Sequence, residues 1–279
     1  MQSEIYIVTV NYNNHKHTAQ FLNSISELTI DTLPRVVVVD NNSTVDDIHN
    51  LENTITKYEN VVLLKNDCNA GYFRGLNIGI DYLREVYDFT GSDRVIVCNN
   101  DLKFRRDYFD KLLNIEYKED ELVIAPNIIT NDGYHQNPLF IERVTKLRKF
   151  GYDLYYLNYY LGQIIYLLTQ KYKQIRNPNY TNELNHRMHI YMAIGACYIL
   201  TENYFRHFDK LDEQLFLMGE EVILSYQVNS VGGKILYEPE LVVYHDESAS
   251  INKIPSKQMY NIKKQSYKIY GKYYLLRNI

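Results

Sequence analysis

A chain of 279 residues with 46% hydrophobic and 23% charged side chains has the apolar material for one large α/β domain, and is not a disordered polyampholyte. Its formal net charge of −4 offers no overall field that would attract nucleic acid, and none is expected as a partner. Cys68, Cys98 and Cys197 are odd in number and form no CxxC pair, which argues against a disulfide framework or a zinc site.

The first strand-like run, residues 5–10, begins without a basic region followed by a longer apolar stretch, so no signal peptide is expected. No apolar run is long enough to cross a bilayer, and the expected location is cytoplasmic. Residues 5–10, 36–40, 61–64, 95–98 and 122–125 are short and apolar with polar turn residues around them, and they predict buried strands. Helices are predicted between them at 17–28, 45–58, 71–86 and 107–117. In the third, Leu76, Ile80 and Leu83 keep one face apolar. Strand–helix alternation at this interval implies right-handed crossovers and a largely parallel sheet. Ligands bind such sheets at the carboxyl ends of the strands, here Asn11, Asp40, residues 66–71 and residues 99–101.

The second half is less regular. Residues 154–170 carry no charge, and Leu154, Leu157, Leu161, Ile164, Ile165 and Leu168 form one helical stripe, with tyrosines crowded among them. A loop is expected around 176–178. A capped helix is predicted from about Gly219 to the Gly232-Gly233 stop, then short strands at 234–237 and 241–245. After Glu247 there is no acidic residue, while Lys253, Lys257, Lys263, Lys264, Lys268, Lys272 and Arg277 are basic.

Three segments can carry chemistry. In the first, Asp40-Asn41-Asn42-Ser43 follows a buried strand; its carboxylate can accept from a nucleobase or ribose, or simply cap the next helix. In the second, Gly71 and Gly75 stand four apart at a helix entrance. There they can admit a ligand to the backbone, or make a tight turn. The third, Asn99-Asn100-Asp101, ends a strand with a carboxylate that can hold Mg²⁺ or Mn²⁺ against a diphosphate, or close a turn.

Taken in order and spacing, these segments resemble the inverting family 2 glycosyltransferases of GT-A fold, near the bacterial rhamnosyl- and polysaccharide-assembly branch. The resemblance rests on the opening strand through Thr9 and Asn11, the strand end at Asp40 to Ser43, the Asn69–Asn77 segment, the Asn99-Asn100-Asp101 loop, Gly195-Ala196-Cys197 and residues 208–216. It runs from about residue 4 to 245 and is weakest over 131–189. It implies a Rossmann-like, mostly parallel central sheet flanked by helices. A nucleotide-sugar half (about 1–126) would precede an acceptor half (127–247) with a variable insertion at 146–190, and a basic helical tail would occupy 248–279.

The resemblance also implies roles. Thr9, Asn11, Asp40, Asn42, Asn69, Gly71, Gly75, Asn99 and Asn100 would hold the nucleotide sugar, and Asp101 with His245 the metal, Mn²⁺ or Mg²⁺. The acid pair Glu220-Glu221 stands where the family commonly has Glu-Asp, so Glu221 would be the base, or Glu220 if the longer side chain misplaces it. Both acids would sit in a helix's first turn, where the macrodipole favours the ionised form. The donor would be UDP- or dTDP-linked, and the acceptor an oligosaccharide or lipid-linked glycan in bacterial cell-surface polysaccharide synthesis. The basic, tyrosine-rich tail and the uncharged stripe are further compatible with an anionic membrane surface, or with an ordinary packed helix and solvated tail. Neutral Asn99 and the Glu-for-Asp exchange also allow a different reading, a catalytically inactive homologue that binds nucleotide sugar or scaffolds an assembly complex.

Overall fold

The structure, a computed structural model, describes residues 4–28, 30, 33–87, 93–176, 183–246 and 257–274, without the side chains of 172–176. In chain order the elements are β1 (Ile5–Asn11), α1 (His15–Ser26), β2 (Arg35–Asp40), α2 (Val45–Ile55), β3 (Val61–Lys65), α3 (Tyr72–Val86), β4 (Arg94–Cys98), β5 (Leu102–Phe104), α4 (Tyr108–Leu113), β6 (Glu121–Thr130), α5 (Lys146–Tyr155), α6 (Tyr159–Arg176), β7 (Met188–Ile190), β8 (Cys197–Leu200), α7 (Glu202–His207), α8 (Glu220–Ser230), β9 (Lys234–His245) and α9 (Lys257–Tyr270).

The strands form one sheet in the order β3-β2-β1-β4-β8-β6-β9-β5, with β7 on β9. Among the described residues, β1, β2, β3, β4, β6 and β9 run one way, while β5, β7 and β8 run the other. The β-branched runs are buried on both faces with a period of two. Ile5, Ile7, Val36, Val38 and Ile96 pack on Phe21 and Ile25 of α1, Leu51 of α2 and Phe109 of α4. Tyr6, Val8, Val37, Val39 and Val97 pack on Phe73, Leu76, Ile80 and Leu83 of α3 and on Leu224 and Val228 of α8. The apolar face foreseen for α3 is thus the one that meets the sheet.

Four expectations change. The two short C-terminal strands are one strand, β9, which pairs with β6 on both sides of a register shift opposite Pro126/Asn127. Residues 239–241 bulge out there, and β6 runs past Pro126 to Thr130 for the same reason. The helix expected over 107–117 stops at Leu113. The stripe of 154–168 is not one helix. The Asn158 side chain accepts from the Leu161 backbone N–H (3.0 Å), which starts α6 afresh after α5 has ended.

The tail is helical, as α9, but it does not hang free. Tyr260, Tyr267 and Tyr270 are buried, and Tyr267 stacks on Tyr156. Lys253, Arg277 and the expected loop at 177–178 lie outside the described residues. Among those described, no helix is long and apolar enough to cross a membrane.

Candidate active site

The carboxyl ends of β1, β2 and β4 share one buried polar network. Asn11, the last residue of β1, donates from Nδ2 to Asp40 Oδ1 (2.8 Å), Ser43 Oγ (3.1 Å) and Asp47 Oδ2 (2.9 Å). Its Oδ1 accepts from Thr18 (2.9 Å), and Thr18 in turn accepts from Asn100 Nδ2 (2.7 Å). Burying this many polar groups is tolerable only because each is satisfied. Asp40 is 0% exposed. Its Oδ1 also accepts from the Ser43 hydroxyl (2.6 Å), and its Oδ2 from the Ser43 backbone N–H (2.9 Å). Asp40 therefore shapes the 41–44 loop from within, leaving Asn42 exposed at φ +63°. Thr9 Oγ1 is buried without a hydrogen-bond partner.

The two glycines are closely packed against the protein itself. Gly71 has φ +88°, and a Cβ there would fall 2.2 Å from the Phe216 carbonyl oxygen. A Cβ on Gly75 would fall 2.9 Å from Asn41 Nδ2. Asn69 Oδ1 accepts from the Gly71 N–H (3.0 Å), and the Tyr72 N–H donates to the Phe216 carbonyl (3.0 Å). The 66–71 loop is thereby fastened, backbone to backbone, to the loop that leads into α8.

Asp101 and His245 are far apart in sequence, and a strand pairing brings them together. β5 starts directly after Asp101 and pairs antiparallel with β9, placing Leu102 opposite His245. His245 Nε2 then stands 3.2 Å from Asp101 Oδ1, an oxygen that is buried and otherwise unpartnered. On the other side of the ring, His245 Nδ1 donates to Gln136 Oε1 (2.7 Å). With its proton on Nδ1, the neutral ring turns an Nε2 lone pair toward a carboxylate oxygen. That contact is repulsive unless a cation or a proton joins the two atoms. One nitrogen and one hard oxygen are compatible with a transition-metal dication such as Mn²⁺, and a histidine oriented through its far nitrogen is the usual support for a ligand. Asn99 and Asn100 add no charge, and Asn100 is committed to Thr18. Among the described residues, no group of three or more His, Cys, Asp or Glu could hold a metal. The remaining ligands would have to be phosphate and water.

Glu220 and Glu221 open α8, behind Gly219 at φ +106°. Their environments differ. Glu220 turns back and accepts from the Met218 N–H (2.9 Å). Glu221 reaches across to Gly195, whose N–H donates to it at 3.3 Å. Gly195 lies just before β8, and the next residue, Ala196, pairs with the end of β4 through the Asn99 N–H. The Tyr72 hydroxyl donates to the Gly195 carbonyl (3.1 Å). Burial above all, followed by Cys98, Cys197, Glu220 and Asp101, pushes the Tyr72 hydroxyl well up.

The helix N-terminus does not dominate the acids. Burial, then the charge of Glu221, raises Glu220 to about 7 against the backbone N–H groups that favour its ionised form. Glu221 is also raised, mainly by burial, and is opposed by its own N–H, that of Gly195, and the charge of Lys263. The dipole was expected to lower their proton affinity, but desolvation outweighs it. A carboxylate with raised proton affinity is the better base near neutral pH.

A family model described as Glycosyl transferase family 2 matches residues 6–190. The chain belongs to glycosyl transferase family 2. Solved structures share the fold, which is that of GT-A glycosyltransferases. GalNAc-T7, solved with UDP, GalNAc and Mn²⁺, superposes with a TM-score of 0.62 at 14% identity over 96% of this chain and 48% of its own. Residues 1–349 of TarS from S. aureus give 0.55 at 14% identity, over 87% of this chain and 60% of theirs. The mannosyltransferase PcManGT from Pyrobaculum calidifontis, in complex with GDP-Man and Mn²⁺, gives 0.55 at 12%, over 97% and 63%. The chain thus spans about half to under two thirds of these proteins' lengths. No curated protein sequence matches it.

Sequence reasoning missed several members of this candidate site. Thr18 and Asp47 complete, with Ser43, the Asn11 network, and Gln136 stands behind His245. Asp47 left one signal, as an acid in the first turn of a helix directly after a strand-end loop. Gln136 left none, because it falls where the family resemblance is weakest.

Proposed function

We propose that the chain transfers a sugar, with inversion, from a UDP- or dTDP-linked donor to a glycan acceptor, in the manner of a hexosyl- or rhamnosyltransferase. The observation that carries the reading is that two candidate groups lie at the same end of the sheet. The Asp101–His245 pair lies beside the end of β4 and would hold the cation. Glu221, with raised proton affinity, lies at Gly195, one residue from the Ala196 that pairs with that same strand end. Neighbours of this fold solved with Mn²⁺ and with UDP or GDP-Man support the metal and the donor class.

In this reading the 41–44 loop, ordered from within by Asp40 and Asn11, lines the nucleoside side with Thr9 buried behind it, and Asn69 shapes the loop beside it. Asp101 and His245 would hold Mn²⁺ or Mg²⁺, which when bound neutralises charge on the diphosphate. Glu221 takes the proton of the acceptor hydroxyl as its oxygen bonds to the anomeric carbon. The bond from that carbon to the diphosphate oxygen breaks, and its electron pair leaves with the nucleotide diphosphate. Glu220 holds the preceding loop through Met218. The acceptor we favour is a lipid-linked glycan of bacterial surface polysaccharide assembly, met at the inner face of the plasma membrane.

The test is a panel of UDP-, dTDP- and GDP-sugars with and without Mn²⁺, read as thermal shift and as nucleotide diphosphate release. A ligand that binds only the folded state raises its apparent stability. Binding together with turnover of one donor is expected. Binding without turnover under every acceptor condition would favour the inactive homologue, for which the neutral Asn99 is the specific observation.

A further inference from the structure

The uncharged stripe of 154–168, which sequence alone leaves open as core or surface, is mostly surface: Leu154, Leu157, Ile164 and Leu168 are exposed, while Leu161 and Ile165 are half-buried. On α5, Leu147 is 81% exposed and Phe150 is more than half exposed. Leu157 in the break is likewise exposed, and on α6 so are Tyr160 (71%), Ile164 and Leu168. No residue of α5 is buried. Such a concentration of large apolar side chains facing water marks an interaction surface rather than scattered exposure.

The inner side of α6 is already occupied. A Cβ on Gly162 would fall 2.8 Å from the Tyr260 ring of α9. At 3.6 residues per turn, Gly162 lies nearly opposite Tyr160 and Ile164 on the helix. α6 therefore packs its small residue against α9 and turns Tyr160, Ile164 and Leu168 away from the molecule.

Charge says what covers this face. Residues 143–171 hold five basic side chains and one acid, and residues 257–274 hold five lysines and none, in a chain whose net charge is −4. The one acid, Asp153, is taken by Lys149 (2.8 Å) and by the Tyr267 hydroxyl (2.5 Å). Lys264 of α9 reaches the Leu157 carbonyl in the break (2.7 Å), which sets the basic helix beside the apolar stripe. A second copy of the chain would bring like charges together across a two-fold contact. An anionic bilayer offers both the acyl boundary for the leucines and the counter-charge for the lysines.

We infer that the α5–α6 hairpin, rimmed by α9, is a docking surface for an anionic membrane, on which the protein sits peripherally. The inference extends the lipid-linked acceptor reading but does not need it. Vesicle binding is measured without catalysis, so each can fail alone.

The chain contains no tryptophan, so Leu168→Trp supplies a clean reporter. Flotation of the full chain with phosphatidylglycerol-containing vesicles is expected to show binding that falls with added salt, and with pure phosphatidylcholine vesicles little binding. Ile164→Glu with Leu168→Glu should lower the partition coefficient about tenfold or more while leaving the thermal melt unchanged. Leu168→Trp emission should shift to the blue on anionic vesicles. Failure of the wild type to bind them, equal binding by the double variant, or an unshifted tryptophan would overturn the inference. So would a wild-type dimer in lipid-free sedimentation that the double variant converts to monomer, because the occupant would then be a second copy.

Discussion

Glu220→Gln should make the protein more stable at neutral and alkaline pH, and the gain should disappear in acid. Burial and the charge of Glu221 raise the Glu220 carboxyl from its ordinary 4.5 to about 7 in the folded state. The folded protein therefore holds its proton over a range where the unfolded chain has released it. Below the unfolded value both states are protonated and nothing is lost. As pH rises from about 4.5 through about 7, the wild type loses stability, and above that the full cost of a buried charge is present. The difference corresponds to about 3 kcal/mol at 1.36 kcal/mol per pKa unit. Glutamine keeps an acceptor for the Met218 N–H and carries no charge to bury. Urea unfolding of both proteins at pH 5, 6, 7 and 8 reads the effect. The two stability curves should draw together toward pH 5, meeting below the unfolded value of 4.5, and separate by up to about 3 kcal/mol at pH 8. Parallel curves across that window would refute the assignment of burial cost to Glu220.

Glu221→Gln should lower turnover about 10²- to 10⁴-fold, with donor affinity changed little, while Glu220→Gln retains most activity in a steady-state assay. The reverse ranking would move the base to Glu220. Asp101→Ala and His245→Ala should each weaken Mn²⁺ binding in calorimetry about tenfold or more and remove the metal's thermal shift. Gly71→Ala meets both a positive φ and a carbonyl oxygen 2.2 Å from the new methyl, which that oxygen must move to accept. It should cost about 2–4 kcal/mol in denaturant unfolding and displace the loop before Glu220, lowering activity well beyond the stability loss.

Much of the fold was legible because the first half repeats one rule. A β-branched run is buried on both faces, and helices with apolar residues on one side cover it; β1, β2 and β4 with α3 follow this closely. What escaped was set by contacts distant in sequence. The split of the 154–168 stripe depends on Asn158 capping a new helix, where an asparagine could as well lie within a continuous one. The fusion of the two last strands depends on β6 continuing past Pro126, which nothing local announces. In the site, Asp101 and His245 could be named separately, but the β5–β9 ladder that joins them rests on three residues, Leu102–Phe104. The glycine pair was visible as glycines, while its partners Phe216 and Asn41 lie elsewhere in the chain.

The fastening of Gly71 and Tyr72 to Phe216 has a thermodynamic consequence. One side of that contact belongs to the loop that on the proposed reading lies beside the donor, and the other leads in five residues to Glu221, the proposed base. A substrate that settles either loop also restricts its neighbour, so the conformational entropy lost on binding is partly shared between the two ligands. Donor and acceptor should then bind with positive cooperativity, and linkage requires each to raise the other's affinity by the same factor.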